Sequence, residues 1–270
     1  MNKSRLDTEI FTRALVPSRE RGRALIMAGQ VYVNGQKALK AGHFVENSDI
    51  IEIRQNTNPF VSRGGLKLRK AVEEFGLSLA GKTCIDVGAS TGGFTDCMLQ
   101  SGAAKVYAVD VGYGQLAWTL RTDERVVNLE RTNFRYVTEN EIPEKVDFAS
   151  VDVSFISLRI ILPVLRGFLN DGGEAVCLIK PQFEAGRENV GKKGVVRDKA
   201  VHARVIDGIV SFAEEAGFAV AGLTFSSVKG PEGNIEYLMR VIKADRAPGE
   251  WRADTEDLVE SAHSELADRG

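Results

Sequence analysis

The sequence is poor in the residues that build disulfide frameworks and histidine sites. Its 270 residues hold three cysteines, Cys84, Cys97 and Cys177, and three histidines, His43, His202 and His263. The cysteines fall on predicted core elements and have no metal-ligand spacing, so buried, reduced thiols are the simplest account. Three scattered histidines argue against a His-ligated metal or a His-based triad, and no metal is expected. No run approaches the ~18 apolar residues that a membrane span requires. The start, Met1-Asn-Lys-Ser-Arg-Leu-Asp, has no apolar signal core. These absences predict a cytoplasmic protein with no stable membrane association.

What is there is ordinary in bulk and uneven in distribution. Apolar residues make up 43% and charged residues 27%, as in a soluble globular protein. The net charge of −2 hides an asymmetry. Residues 1–70 carry 13 Lys and Arg against 6 Asp and Glu, whereas the remaining 200 carry 22 against 31. A basic front on a mildly acidic body fits a front that meets a polyanion.

The chain is organised around Cys84-Ile-Asp-Val-Gly-Ala-Ser-Thr-Gly-Gly-Phe-Thr95. A short apolar strand, 83–87, breaks into Gly88, Gly92 and Gly93, and a helical stretch, 94–100, follows. A strand that runs through a glycine turn into a helix is a nucleotide-binding turn of an open α/β sheet. Two phosphate-gripping patterns are absent. G-x-G-x-x-G fails because Ala89 and Ser90 follow Gly88, and the phosphate loop fails because Phe94 follows Gly93. The turn therefore suits a nucleoside without a polyphosphate. Asp86 beside it would attract a cation, and S-adenosylmethionine carries both a sulfonium and an ammonium. The plainer alternative is a βα turn with a buried Asp. A second strand, 105–109, ends in Asp110, roughly 20 residues past the glycine turn, where an acid binds ribose hydroxyls.

Further along, strands are expected at 126–129, 146–152, 174–179, 219–227 and 237–243, and helices at 160–169 and 200–217. Residues 186–197 lack apolar periodicity and read as a mobile loop. The tail from 244 is acidic and should form a peripheral helix at most. Alternating strands and helices give a parallel sheet, with room for one antiparallel strand at the end.

Ahead of the sheet, Leu6, Ile10, Ala14 and Leu15 recur at helical spacing up to Pro17. Ser18 caps a second helix, 19–28, which carries Arg19, Arg21 and Arg23 and closes at Gly29. Val31-Tyr-Val is a strand, Asn34-Gly35 a hairpin signal and Ile50-Ile-Glu-Ile a closing strand. This pattern resembles the S-four-type RNA-binding domain. The resemblance implies that the arginine helix and its strands meet structured RNA through phosphates. Arg5, Arg19, Arg21, Arg23, Lys37 and Arg63 are the expected RNA-binding residues.

Three charged residues fall at strand ends where ligands of open α/β sheets sit: Asp152, Lys180 and Glu236. Lys67 lies on a helix ahead of the first strand. A set of rim salt bridges is the bland reading. With the glycine stretch, the four resemble the Lys-Asp-Lys-Glu tetrad of the FtsJ-like ribose 2′-O-methyltransferases. The local sequences Ser62-Arg-Gly-Gly-Leu-Lys67-Leu, Asp152-Val-Ser-Phe-Ile-Ser-Leu158, Ile179-Lys-Pro-Gln-Phe-Glu184 and Gly233-Asn-Ile-Glu-Tyr-Leu238, together with the front module, resemble the TlyA family, whose members also carry haemolysin names.

That resemblance implies a fold, a reaction and a partner. The fold would be α/β, a Rossmann-like seven-stranded class I methyltransferase sheet with a small N-terminal α+β RNA-binding domain. Residues 1–54 would be that domain, 55–61 a linker, 62–243 the methyltransferase domain and 244–270 an acidic tail. The reaction would be S-adenosylmethionine-dependent methylation of ribosomal RNA, on cytidine ribose, with the ribosomal subunit as partner. Lys180 would be the general base, Lys67 the second cation, Asp152 the group that orients Lys180, and Glu236 the group that positions Lys67 or the ribose. Asp86, Gly88, Ala89, Ser90, Thr91, Gly92, Gly93, Phe94, Asp110 and Asn133 would bind the cofactor. The alternatives are a membrane-active cytolysin and a non-catalytic RNA-binding protein that keeps the methyltransferase fold.

Overall fold

A computed structural model describes residues 3–27, 29–38, 40–54, 58–244 and 254–267. The chain divides into two compact units, Met1–Pro59 and Phe60–Gly270.

The first unit runs β1 (Lys3–Arg5), α1 (Leu6–Thr12), α2 (Arg19–Met27), β2 (Val31–Val33), β3 (Gln36–Lys37), β4 (Phe44–Glu46) and β5 (Ile51–Ile53). Leu6, Ile10, Val16, Ile26, Val31 and Val45 form its core. The first helix is shorter than its periodicity predicts. It stops at Thr12, Ala14 turns to φ 57° and is exposed, and Val16 is buried where Leu15 was expected. The Ser18 hydroxyl accepts the Arg21 N–H at 3.1 Å and caps α2, whose expected last residue, Ala28, lies outside the described residues. Asn34 and Gly35, at φ 50° and 77°, close the β2–β3 hairpin with the double left-handed turn that strand twist favours.

The second unit continues with α3 (Gly64–Glu74), β6 (Thr83–Val87), α4 (Gly93–Gln100), β7 (Lys105–Val109), α5 (Trp118–Arg121) and β8 (Val126–Leu129). Next come β9 (Val146–Val151), α6 (Leu158–Phe168), β10 (Leu169–Ile179), α7 (Pro181–Glu184), α8 (Lys199–Glu215), β11 (Ala219–Phe225), β12 (Tyr237–Ile242) and α9 (Thr255–Ala267). Seven strands form one sheet in the order β11-β12-β10-β9-β6-β7-β8. β12 is antiparallel to both of its neighbours, and the β10-β9-β6-β7-β8 run is parallel.

Alternate strand residues feed two cores, because side chains point to opposite faces. Cys84, Val106 and Phe148 join the layer with Leu68, Ala71 and Met98 from α3 and α4. Ile85, Tyr107 and Ala149 join the layer with Leu162, Leu165 and Ile206 from α6 and α8. The helix near the C-terminus is more than peripheral. Val259, Ala262 and Leu266 of α9 are buried in that second layer, because they recur at spacings of three and four.

Candidate active site

The first wall of the site is the turn after β6. Gly88, at φ 87°, packs so closely that a Cβ there would lie 2.4 Å from the Asp152 carbonyl oxygen. A side chain would push the β6 and β9 ends apart. Gly93 meets the start of α3 as tightly, since its Cβ would lie 2.2 Å from Ser62 Oγ. The two glycines thus bring the segment that carries Asp152 and the start of the helix that carries Lys67 against one turn.

Asp86 does not face the cleft. It is fully buried, its Oδ2 accepts from the Thr95 N–H at 2.8 Å and the Thr95 hydroxyl at 2.7 Å, and its Oδ1 accepts from the Ser150 hydroxyl at 3.0 Å. Burial pushes its pKa up to about 6, against the pull of those donors. The expected direct contact with a ligand cation therefore gives way to a structural role, which ties β6 to the first turn of α4. Asp110 also works on the backbone, accepting the Ser90 N–H at 2.7 Å and the Gly112 N–H at 2.6 Å.

The four charged residues meet at the head of the sheet. Lys180 follows β10, and Pro181 holds it in an extended conformation, φ −111° and ψ 102°, as the residue before a proline prefers. Its Nζ lies 2.5 Å from Asp152 Oδ1 and donates to Ser154 Oγ at 3.1 Å. Lys67 Nζ lies 2.6 Å from Glu236 Oε2 and 3.6 Å from Asp152 Oδ2. Asp152 thus lies between the two lysines. Lys67, Lys180 and Glu236 are buried. Burial alone would lower the Lys67 pKa, but Asp152 and Glu236 outweigh it and the pKa rises, so Lys67 stays charged. Glu236 reaches the group because Ile179 pairs with Tyr237 in the antiparallel ladder, which sets residue 236 beside residue 180.

A cleft of about 1300 Å³ opens over this group. Of the predicted cofactor residues, Gly88, Ala89, Ser90, Thr91, Gly93 and Phe94 line it, while Asp86, Gly92, Asp110 and Asn133 do not. Asn133 is exposed and its Oδ1 accepts the Arg135 N–H. Among the predicted RNA-binding residues, Arg63 lines the cleft. The others lie in the first unit. There Arg5 and Arg19 both donate to the buried Asp7, at 3.1 and 3.0 Å, Arg21 and Arg23 are exposed on α2, and Lys37 is exposed on β3. The Arg5 hydrogen bond, helped by Arg19, holds the Asp7 pKa down at about 2 against its burial.

Sequence reasoning missed Ser154, Phe155 and Gln182. Gln182 Nε2 donates to Glu236 Oε1 at 3.3 Å. Phe155 is 91% exposed at the cleft, with φ 63°, and its ring lies 4.9 Å from that of Phe183. A bulky residue held in the left-handed region is strained, and such strain gathers at functional sites. The signal was adjacency: each of the three lies two or three residues beyond a tetrad member.

Comparison with known proteins decides the family. The FtsJ-like methyltransferase family matches residues 60–243, and the S4 domain matches residues 4–51. The 16S/23S rRNA (cytidine-2'-O)-methyltransferase TlyA of Mycobacterium tuberculosis is 43% identical over 97% of this chain and 98% of its own. The chain belongs to the TlyA family of FtsJ-like methyltransferases. Another relative, the rRNA methyltransferase-named YqxC of Bacillus subtilis, is 49% identical over 99% of this chain and 96% of its own. A solved structure from Streptococcus thermophilus, which bears a haemolysin name, matches at TM-score 0.78 and 44% identity over 100% of this chain and 98% of its own. The family and its fold imply use of S-adenosylmethionine.

The cleft fits that cofactor on its own terms. The glycine turn presents no lysine or arginine of its own, as a ligand without phosphates requires. Asp110 stands behind the lining rather than in it, and its carboxylate accepts the N–H of Ser90, which does line the cleft.

Proposed function

We propose that this protein transfers a methyl group from S-adenosylmethionine to a ribose 2′-hydroxyl of ribosomal RNA, on cytidine as in its named relative. The observation that carries the reading is the convergence of Lys67, Asp152, Lys180 and Glu236 beside the glycine turn. When bound, the cofactor supplies a methyl on a sulfonium, which departs as a neutral thioether.

The chain's own residues align the 2′-oxygen and take its proton. Lys180 is the base, and Asp152 and the Ser154 hydroxyl aim its amine. Lys67 is the fixed cation, held by Glu236, and it steadies negative charge as it grows on the oxygen. Gln182 braces Glu236. Phe155 offers an exposed ring at the cleft on which a base can stack. Ala89, Ser90, Thr91 and Phe94 hold the methionine side of the cofactor, and Asp110 the ribose.

The domain boundaries follow the same reading: an RNA-binding domain over 1–54, a linker over 55–61, the catalytic domain over 62–243 and the acidic tail over 244–270. The substrate places the activity in the cytoplasm. No helix among the described residues is long and apolar enough to cross a membrane.

The test is methylation of unmethylated ribosomal subunits by purified protein, with the modified position mapped by primer extension at low nucleotide concentration. A stop at a cytidine with wild-type protein, lost with Lys180→Ala, is the expected result. Methyl incorporation that survives in the Lys180→Ala protein would overturn the proposal.

A further inference from the structure

Residues 186–197 read Gly-Arg-Glu-Asn-Val-Gly-Lys-Lys-Gly-Val-Val-Arg, with four cations against one acid. Gly186, Arg187, Val190 and Gly194 of this loop line the cleft. The loop is built rather than loose. Asn234 grips it twice, accepting the Val196 N–H at 3.2 Å and donating to the Gly194 carbonyl at 2.9 Å. A His202 ring nitrogen meets the Val196 carbonyl at 3.0 Å. The Gly194 N–H donates to the Gly191 carbonyl at 2.8 Å, which closes a tight turn with Lys192 and Lys193 at its tip.

Among the described residues, the cations of this loop lack the carboxylate partner that most lysines of the unit have. Elsewhere in the unit the half-buried Lys105 and the exposed Lys145 and Lys199 each reach a carboxylate, at 2.6 to 3.7 Å. Arg187, Lys192, Lys193 and Arg197 have no ion pair or side-chain hydrogen bond among the described residues, and neither do Arg63 and Lys229, which line the same cleft. Unpaired, exposed cations held on a fixed turn repel one another unless an anion comes between them. Arg63, Arg187 and Lys229 line the cleft while Lys192, Lys193 and Arg197 stand on the loop outside its lining, and cations strung out from a cleft in this way suit a chain of phosphates rather than a single small anion.

We propose that the 186–197 loop is a second RNA-binding element, on the methyltransferase domain, whose Lys192 and Lys193 grip phosphates of the strand that flanks the target nucleotide. This rests on the RNA methyltransferase reading above. It adds an element that the N-terminal module does not provide, and it explains why the loop is tied to Asn234, two residues from Glu236.

The experiment uses the full chain and the double variant Lys192→Ala/Lys193→Ala. Affinity for deproteinised, unmethylated ribosomal RNA is measured from 50 to 300 mM KCl. The expected result is weaker binding and a salt slope reduced by about 1.4–1.8, since each phosphate contact contributes roughly 0.7–0.9. Affinity for S-adenosylmethionine should stay as in wild type, and Lys192→Arg/Lys193→Arg should restore the slope. An unchanged slope would overturn the proposal and leave the lysines as solvated surface. A defect seen on intact subunits and absent on bare RNA would also overturn it, in favour of a ribosomal protein as the contact. Wild-type protein that neither binds nor methylates ribosomal RNA would instead defeat the underlying reading.

Discussion

Lys67 on α3 and Glu236 just ahead of β12 meet at 2.6 Å, although 169 residues separate them in the chain. Glu236 is fully buried, and Lys67 nearly so. Removing one partner leaves the other as a buried charge. Glu236→Ala should abolish methyl transfer and destabilise the protein by about 3 kcal/mol, the lower end for a broken buried pair, because Asp152 still faces Lys67. The pair also sets an alkaline limit. The folded Lys67 pKa is raised above its ordinary 10.5, so its stabilisation is complete below that value and is lost as pH rises through the raised one. Thermal melts from pH 8 to 11 should show a steeper fall for wild type than for Glu236→Ala. Parallel curves would remove Lys67 as the cause.

Lys180 separates a base from a bridge. Lys180→Arg keeps a cation within reach of Asp152, yet guanidinium does not give up its proton near neutral pH. Single-turnover methylation by this variant should be nearly lost at every pH tested, with affinity for cofactor and RNA within about threefold of wild type, since a base acts in the transition state. Near wild-type rates would leave Lys180 as a structural or RNA-positioning cation.

Asp110 should report on the cofactor. Its carboxylate organises the Ser90 and Gly112 amides and faces the ribose in the proposed pose. Asp110→Ala should weaken S-adenosylmethionine binding by about 1–3 kcal/mol, the scale of a lost hydrogen bond to a charged group. Unchanged affinity by calorimetry would take Asp110 out of the site.

Asp86 should appear in the acid range instead. Its folded pKa of about 6 lies above the ordinary 3.8, so between those values the folded protein keeps a proton that the unfolded chain has released. Stability from this group therefore falls as pH rises from 3.8 through 6 and is level above. Across that window the wild type should lose about 3 kcal/mol relative to Asp86→Asn, which has no proton to exchange. Denaturant melts of both proteins from pH 4 to 7 measure the difference, and a constant gap between them would show that Asp86 does not titrate there.

The front unit has its own core, so it can be removed as a piece. Protein lacking residues 1–58 should bind S-adenosylmethionine as before and lose methylation of ribosomal RNA. Full activity in the truncated protein would make the basic module irrelevant to targeting.

The sheet was legible because its signals are local. The strand 83–87, the glycine turn and the strand 105–109 coincide with the predicted spans, since an apolar run that breaks at glycine has few other solutions. The short strands β1, β3 and β4 escaped notice, because two or three residues show no period. Asp86 was misplaced for a different reason. Its position beside the turn was plain, but only the fold shows that Thr95 and Ser150 already occupy its carboxylate. The gathering of Lys67, Asp152, Lys180 and Glu236 came from resemblance, not spacing. Their proximity depends on β12 reversing beside β10, which no single stretch of sequence states.

That reversal also dictates when the protein becomes competent during its own synthesis. Ribosomes add about 5–20 residues per second, and domains tend to fold from the amino end as they emerge. The turn, Asp152 and Lys180 are all made before the strand inserted between β10 and β11 exists. Glu236 arrives with that strand, so a nascent chain carries three of the four charges and no finished centre. The proposed centre is thus completed only when the last strand of the sheet is delivered.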